Sequence, residues 1–310
     1  MMLKRDRGQA FAVTVIFLTV MVGMTAAVLD VGSWYRADRA LQATADAAAL
    51  AGAQALPENE TSAEALAKEY VEKNGGNLSA LDISFSSKAT QSDTITVEAE
   101  RPAPGFFARI FGVDSVTVGA RATARAGGIS EAKYVAPITV NEKHPMLTGC
   151  TPPPCAGPGY PTEIELLNLH KPGAKDAAGS FGLIDLRPNG GGNPGASEMA
   201  GWMEKGFGEY MKIGDYDAAP STNFNNSQFK GALDLRLGTE LLFPVYRKLT
   251  GPGTNAKYEI IAWVGFVPTK FTGSGDQGKV FGYFTEVIWE GVLLGSGPPA
   301  FGVKTVSLVE

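Results

Sequence analysis

The 310-residue sequence contains little of what metal, redox or histidine-based chemistry needs, since it has only two cysteines and two histidines. Charged residues make up 19% of the chain, the formal net charge is -5, and lysines and arginines form no cluster interleaved with aromatic residues. This balance argues against a nucleic-acid partner. The composition therefore predicts no metal ion, no cofactor, no nucleic acid and no small-molecule substrate.

Motifs of the common catalytic sites are also missing. No GxxxxGK[ST] phosphate loop is present, and the glycine run 190–192 is interpreted as a surface loop. His144 and His170 each lack a partner nearby in the sequence, and both are expected at the surface or at a strand edge. Asp215 and Asp217 are close acids of a kind that can bind a cation, but acids in such loops are usually solvated. We therefore predict that the protein is not an enzyme.

One long apolar run stands out. Phe11–Leu29 contains 19 residues without a charge, and as a helix it measures about 28 Å, close to the roughly 30 Å hydrocarbon core of a bilayer. Basic residues dominate residues 1–10, which predicts a cytoplasmic tail and an extracytoplasmic remainder. A buried core helix usually has a polar face, and a cleavable signal has a shorter run with a small-x-small site. We therefore predict a single-pass anchor, residues 11–29, in the cytoplasmic membrane.

The helix is expected to continue beyond the anchor to about Leu56, because no proline precedes Pro57 and alanine is the best helix former. Trp34 and Tyr35 are expected at the outer membrane interface. Small residues let two backbones approach closely, so the stretch is predicted to pack against another helix or against the protein's own head domain. A plain alanine-rich spacer is the alternative. The a/d spacing defines a helix-packing seam: Trp34, Leu41, Ala45, Ala48, Gly52 and Ala55.

Residues 7–56 resemble the N-terminal segment of TadG-like proteins, of the TadE/TadG group, from the Tad (Flp pilus) assembly system. The matching features are "RGQA" before the apolar run, "DVG" at 30–32, Tyr35-Arg36, "LQ" at 41–42 and "ADAAALAGA" at 45–53. The resemblance implies a bacterial cell-envelope component of pilus assembly that is pilin-like in its first helix. It also implies other pilus-assembly or pilin-like proteins as partners.

Two departures from the wider family pattern matter. Prepilin-peptidase substrates usually carry glutamate five residues after the cleaved glycine, and Val13 stands at that position counted from Gly8. No such processing is therefore expected. Larger relatives end in a von Willebrand A domain with a DxSxS metal motif, which Asp82–Ser86 fits as a string. Since that stretch alternates like a β-strand, we predict no metal site there.

The exported part is predicted to be α+β and to contain two domains. Residues 30–126 form the pilin-like helix and a small antiparallel β head, with a capping box at Thr61–Glu64 opening a second helix. Gly127-Gly128 marks the boundary to a β-rich α+β domain, residues 127–310, with a mainly antiparallel sheet. The sequence "TGPGTN" at 250–255 suits a hairpin within that sheet.

Cys150 and Cys155 bracket the sequence Thr-Pro-Pro-Pro. Their spacing is wrong for CxxC zinc or redox chemistry, and export favours a disulfide between them. Free thiols, or a metal shared with His144, are the alternatives.

The leading hypothesis is a membrane-anchored structural component of Tad/Flp-type pilus assembly that acts through helix packing and contacts of its exported domains. The alternative, from another class, is a membrane-anchored extracytoplasmic hydrolase or carbohydrate-binding protein. A concave cluster of Asp185, Asp215 and Asp217 in the second domain would favour that alternative.

Overall fold

A computed structural model describes residues 6–166, 180–188, 190, 193–251, 255–273, 277–293 and 301–309, with backbone only for residues 6–9, 180, 221 and 222. The chain divides into two compact units. Unit 1 comprises residues 1–125 together with 307–310, and unit 2 comprises residues 126–306. The chain therefore crosses between the units twice. The boundary predicted at Gly127-Gly128 lies close to the first of these crossings.

Unit 1 contains one long helix, α1, which runs from Asp6 to Ala53. Its apolar side chains from Phe11 to Leu29 are exposed, and the helix is long and apolar enough to cross a membrane. It ends three residues earlier than predicted. The last turn tightens, with the Leu56 N–H bonded to the Ala53 carbonyl, because a residue before proline disfavours the α conformation. Ala55, predicted as the last residue of the seam, therefore lies beyond the helix.

A second helix, α2 (Glu60–Lys73), follows this turn. Its N-cap is Asn59, whose side chain accepts the Ser62 N–H at 2.9 Å. The predicted capping box at Thr61–Glu64 is wrong, because Thr61 already lies inside the helix and Asn59 satisfies the free donor. Three strands of a five-stranded sheet follow, and they pair antiparallel in chain order. They are β1 (Ala80–Ser86), which contains Asp82 as an exposed strand residue, β2 (Thr94–Pro104) and β3 (Ser115–Gly127).

The head of unit 1 covers most of the seam. Leu41, Ala45, Ala48 and Gly52 are all buried, and Leu41 packs with Ala99 of β2. A Cβ atom added to Gly52 would lie 2.6 Å from Cδ1 of Ile95 and 2.9 Å from the carbonyl oxygen of Ala63. Small residues thus bring α1 against α2 and β2. The sequence left two packing partners open, another helix and the protein's own head domain. In this structure, the head of the same chain covers the seam.

Unit 2 is built from short helices and many strands. The helices are α3 (Pro145–Thr148), α4 (Ala196–Lys205) and α5 (Ser227–Leu235). The strands are β4 (Ile129–Ala132), β5 (Ile138–Asn141), β6 (Thr162–Leu166), β7 (Ser180–Leu183), β8 (Met211–Lys212), β9 (Gly214–Asp217), β10 (Leu241–Thr250), β11 (Lys257–Thr272), β12 (Lys279–Thr285), β13 (Val287–Ile288), β14 (Gly291–Leu293) and β15 (Val303–Leu308). The last residues of β15 belong to unit 1, where the Val309 N–H donates to the Thr123 carbonyl at 2.9 Å.

The central sheet of unit 2 closes into a ring. Its order is β10-β5-β7-β6-β12-β11, and β11 pairs again with β10, while β9 adds to the outer part of β11. The β10–β5 and β6–β7 pairs are parallel and the other pairs of the ring are antiparallel. The mixed α+β content is as predicted, and the ring adds parallel pairs to the expected antiparallel sheet. Closure leaves the strands of the ring without free edges.

Phenylalanine side chains fill much of the interior of unit 2. Phe243 and Phe266 stack with their ring centroids 5.0 Å apart, and Phe266 meets Phe284 edge to face at 5.2 Å. Met199 of α4 and Leu233 of α5 belong to the same buried cluster. The two helices therefore pack their apolar sides onto the core, as the spacing of their apolar residues predicts.

His144 is buried, with 2% of its surface exposed, so the predicted surface position is wrong. Its Nδ1 accepts the Met146 N–H at 3.1 Å and caps α3, and its ring meets Phe284 edge to face at 5.1 Å. Burial lowers the pKa of His144 to about 4. Cys150 and Cys155 are joined as a disulfide beside this turn, and the Cys155 N–H donates to the Met146 carbonyl. His170 lies outside the described residues, as do Gly191 and Gly192 of the glycine run.

The close approach at Gly52 can be tested with Gly52→Ala. Alanine gains about 1 kcal/mol of helix propensity over glycine, but its Cβ would meet the backbone oxygen of Ala63, and overpacking typically costs about 1–3 kcal/mol. We expect a net loss in the free energy of unfolding of unit 1, measured by denaturant titration of the full chain in detergent. Gly32→Ala is the control, because nothing lies within 4 Å of its added Cβ; it should be neutral or stabilising. Equal effects of the two changes would contradict the packing described for Gly52.

The burial of His144 makes the stability of unit 2 depend on pH. His144 binds a proton more weakly in the folded chain than in the unfolded chain, where its pKa is about 6.5. The free energy of unfolding should therefore have its full value above pH 6.5 and should fall as the pH drops toward 4. The loss should be about 3 kcal/mol at most. Thermal melts across this range should show the loss. His144→Asn keeps a capping oxygen without a titrating ring, so its melts should vary less with pH; an unchanged profile would rule out His144 as the cause.

Candidate functional site

The main polar site of unit 1 is Asp30, which comes directly after the apolar run of α1 and is 2% exposed. Its Oδ1 accepts the Phe106 N–H at 2.9 Å, and its Oδ2 accepts the N–H groups of Phe107 at 3.0 Å and Ala108 at 2.5 Å. These donors begin the connection between β2 and β3, which includes a short 3₁₀ turn at Ala108–Phe111. One carboxylate thus ties this connection to the helix.

Hydrogen bonds to the charged form explain the electrostatics of Asp30. Desolvation acts to raise the pKa of Asp30, but the bonds from the N–H groups of Ala108, Phe107 and Phe106 outweigh it and hold the pKa below its ordinary value. Charge-assisted bonds of this kind are about twice as strong as neutral ones. The carboxylate is therefore a structural clamp, which we call the Asp30 clamp.

Trp34 lies one turn further along α1 and supports the same connection. Its indole Nε1 donates to the Pro104 carbonyl at 3.1 Å, and a Cβ atom on Gly105 would lie 3.6 Å from its ring. Trp34 is therefore half-buried against the head, whereas its neighbour Tyr35 is exposed. Of Trp34 and Tyr35, both predicted at the outer membrane interface, only Tyr35 is exposed.

The connection held by the Asp30 clamp presents large apolar side chains to the outside. Phe106 is 66%, Ile110 79% and Phe111 83% exposed, and Phe107 is 39% exposed. We call residues 105–114 the apolar loop. This loop was not among the site residues predicted from the sequence. The signal that could have drawn attention to it is four large apolar residues, Phe106, Phe107, Ile110 and Phe111, in a connection between strands that otherwise alternate.

Two of the three acids of the alternative function are neighbours through their backbones, because the Asp185 N–H donates to the Asp217 carbonyl at 2.9 Å, but their carboxylates have separate cationic partners. Asp185 is buried and forms a two-point ion pair with Arg187, with distances of 2.7 and 2.9 Å. Asp217 pairs with Lys257 at 3.3 Å, and Asp215 lines an open groove of about 490 Å³ beside Arg247. Among the residues that the structure describes, no group of three or more His, Cys, Asp or Glu side chains could hold a metal ion.

The Asp30 clamp can be tested with Asp30→Asn. The amide keeps the shape but replaces one acceptor oxygen by a donor that would face backbone N–H groups. We expect faster hydrogen exchange at Phe107 and Ala108 and a lower melting temperature of unit 1. Asp38→Asn, the same change two turns further along α1, is the control. Unchanged exchange in Asp30→Asn would mean that other contacts hold the loop.

Comparison with known proteins gives one match. Residues 8–55 match the family model described as putative Flp pilus-assembly TadE/G-like. These residues cover nearly all of α1 and include Asp30 and the whole predicted seam, whereas the sheet of unit 1 and all of unit 2 lie outside them. Searches of curated proteins and of solved structures found no match. The resemblance predicted from the sequence is confirmed over this segment, which contains the apolar run and its continuation within unit 1.

Proposed function

We propose that the protein is a structural component of Tad/Flp-type pilus assembly, held in the cytoplasmic membrane by α1, with its N-terminus inside and both units outside. The observation that carries the proposal is the continuity of α1. One helix of 48 residues, about 72 Å long, is bare from Phe11 to Leu29 and then enters the packed head of unit 1. This layout is pilin-like.

Continuity matters mechanically because no flexible linker separates the anchor from the head. The Asp30 clamp holds the head at the first turn after the apolar run, and the buried seam holds it again at Leu41 and Gly52. A tilt or displacement of the anchor in the membrane therefore moves the head with it. Since the head of the same chain covers the seam, we place the contacts to other pilus proteins on the bare part of α1 and on the exported surfaces.

The proposed mechanism is structural, not catalytic. Asp185 and Asp217 each have a cationic partner, and Asp215 lies in an open groove. A carboxylate that is held in an ion pair by a cation has little capacity for acid–base catalysis. No observation therefore favours the hydrolase or carbohydrate-binding alternative over the pilus role.

The experiment is a helix exchange in the native bacterium. Deletion of the gene should abolish Flp-type pili in electron micrographs, and the wild-type gene should restore them. A variant in which only residues 11–29 are replaced by an unrelated single-pass helix of equal length keeps the anchor and the Asp30 clamp but loses the lipid-embedded packing surface. We expect this variant to reach the membrane at normal levels and to restore few or no pili.

Two outcomes decide between parts of the proposal. Normal piliation by the exchanged helix would show that the anchor serves only to tether the exported units, and packing by α1 would be wrong. Normal piliation of the deletion strain would overturn the pilus role as a whole. A reporter fused after Glu310 that is active only outside the cytoplasm checks the orientation in the same strains.

A further inference from the structure

The apolar loop lies beside the part of α1 that is predicted to be in lipid. Phe107 lines a groove of about 240 Å³ together with Leu18, Met21, Val22, Thr25, Ala26 and Leu29. Phe111 lines an adjoining groove of about 170 Å³ whose helix side includes Gly23, Ala26 and Ala27. The same groove is also lined by Asp30, Val31 and Trp34, so the two aromatic rings lie where the apolar run ends and the packed part of the helix begins.

The position of the apolar loop along α1 sets its depth. The N–H groups of Phe106 and Phe107 bond to Asp30, so the loop lies level with the first residue after the apolar run, at the outer end of the predicted hydrocarbon span. The apolar loop and α1 belong to one compact unit, and the Asp30 clamp joins them directly. If residues 11–29 cross the bilayer, Phe107 and Phe111 lie at the boundary between the hydrocarbon core and the headgroups.

The backbone of the apolar loop meets the main requirement for entering lipid, where unpaired N–H groups cost several kcal/mol each. The N–H groups of Phe106, Phe107 and Ala108 are bonded to Asp30. Those of Gly105, Ile110, Gly112 and Val113 are bonded to carbonyl groups of the loop itself. The loop therefore exposes mainly apolar side chains and few free backbone donors.

The apolar loop also contains one pair of opposite charges. Arg109 and Asp114 are exposed and approach each other at 3.4 Å. Arginine can extend its aliphatic stem along apolar surface while its guanidinium group reaches lipid phosphates. Aromatic residues flanked by such a cation are typical of segments that lie in the interface between hydrocarbon and headgroups.

We infer that the apolar loop is a second membrane contact, with Phe106, Phe107, Ile110 and Phe111 inserted into the outer leaflet beside α1. The occupant of this apolar surface is lipid, because the surface is continuous with the anchor and the Asp30 clamp holds it at that level. Two contacts, one spanning and one interfacial, fix the rotation of the head about the membrane normal. The inference rests on the proposed anchoring of α1, and the experiment below tests the two separately.

The test is spin-label accessibility in the full chain, reconstituted in vesicles of phosphatidylethanolamine and phosphatidylglycerol. Single cysteines are introduced by Phe111→Cys and Ile110→Cys in a Cys150→Ser, Cys155→Ser background. Both sites are largely exposed, so the labels should not disturb packing. Val22→Cys reports on the anchor, and Tyr70→Cys, an exposed ring on α2, is the control for water. We expect labels at 110, 111 and 22 to collide more with oxygen than with a water-soluble nickel complex, and the label at 70 to show the reverse.

Each outcome has a defined meaning. Labels at 110 and 111 that behave like the label at 70, while the label at 22 reports lipid, would overturn the inference and leave the anchor intact. A label at 22 that also reports water would overturn both. Labels at 110 and 111 shielded from both reagents would show that protein, such as a second copy of this chain, covers the surface, and the lipid assignment would be wrong.

Discussion

The structure of unit 1 depends on one carboxylate placed where the apolar run ends. An acid at that point of a membrane helix is costly unless its charge is compensated, and the Asp30 clamp compensates it with backbone donors. The same bonds hold the connection between β2 and β3 against the helix, which in turn aligns both strands along α1. Leu41 and Trp34 add further contacts between helix and sheet, Leu41 by packing with Ala99 and Trp34 by donating to the Pro104 carbonyl.

The alanine-rich part of α1 shows what a sequence can and cannot determine about packing. The a/d spacing of Leu41, Ala45, Ala48 and Gly52 marks one buried face, although alanines occur on every side of this part of the helix. It does not identify the partner, since a second helix and a sheet of the same chain both suit a flat, small-sided surface. Ala55 was misplaced for a local reason: Pro57 ends the helix earlier than alanine content alone indicates.

In unit 2, the alternating stretches predicted the existence of most strands but not their arrangement. The hairpin between β10 and β11 was predictable because turn residues join two adjacent apolar runs. The parallel pairs β10–β5 and β6–β7 join strands that are not linked by a short turn, so no local pattern encodes them. His144 was predicted at the surface because it precedes a proline; its burial results from Phe284, which lies far away in the sequence.

The double crossing of the chain between the units affects how a change at the C-terminus should be interpreted. The last residues of β15 belong to unit 1, where Val309 bonds to Thr123 on β3. A C-terminal truncation intended to shorten unit 2 would therefore remove a sheet contact from unit 1. A label placed after Glu310 would report on unit 1, and unit 2 is in effect a long insertion between two strands of the sheet of unit 1.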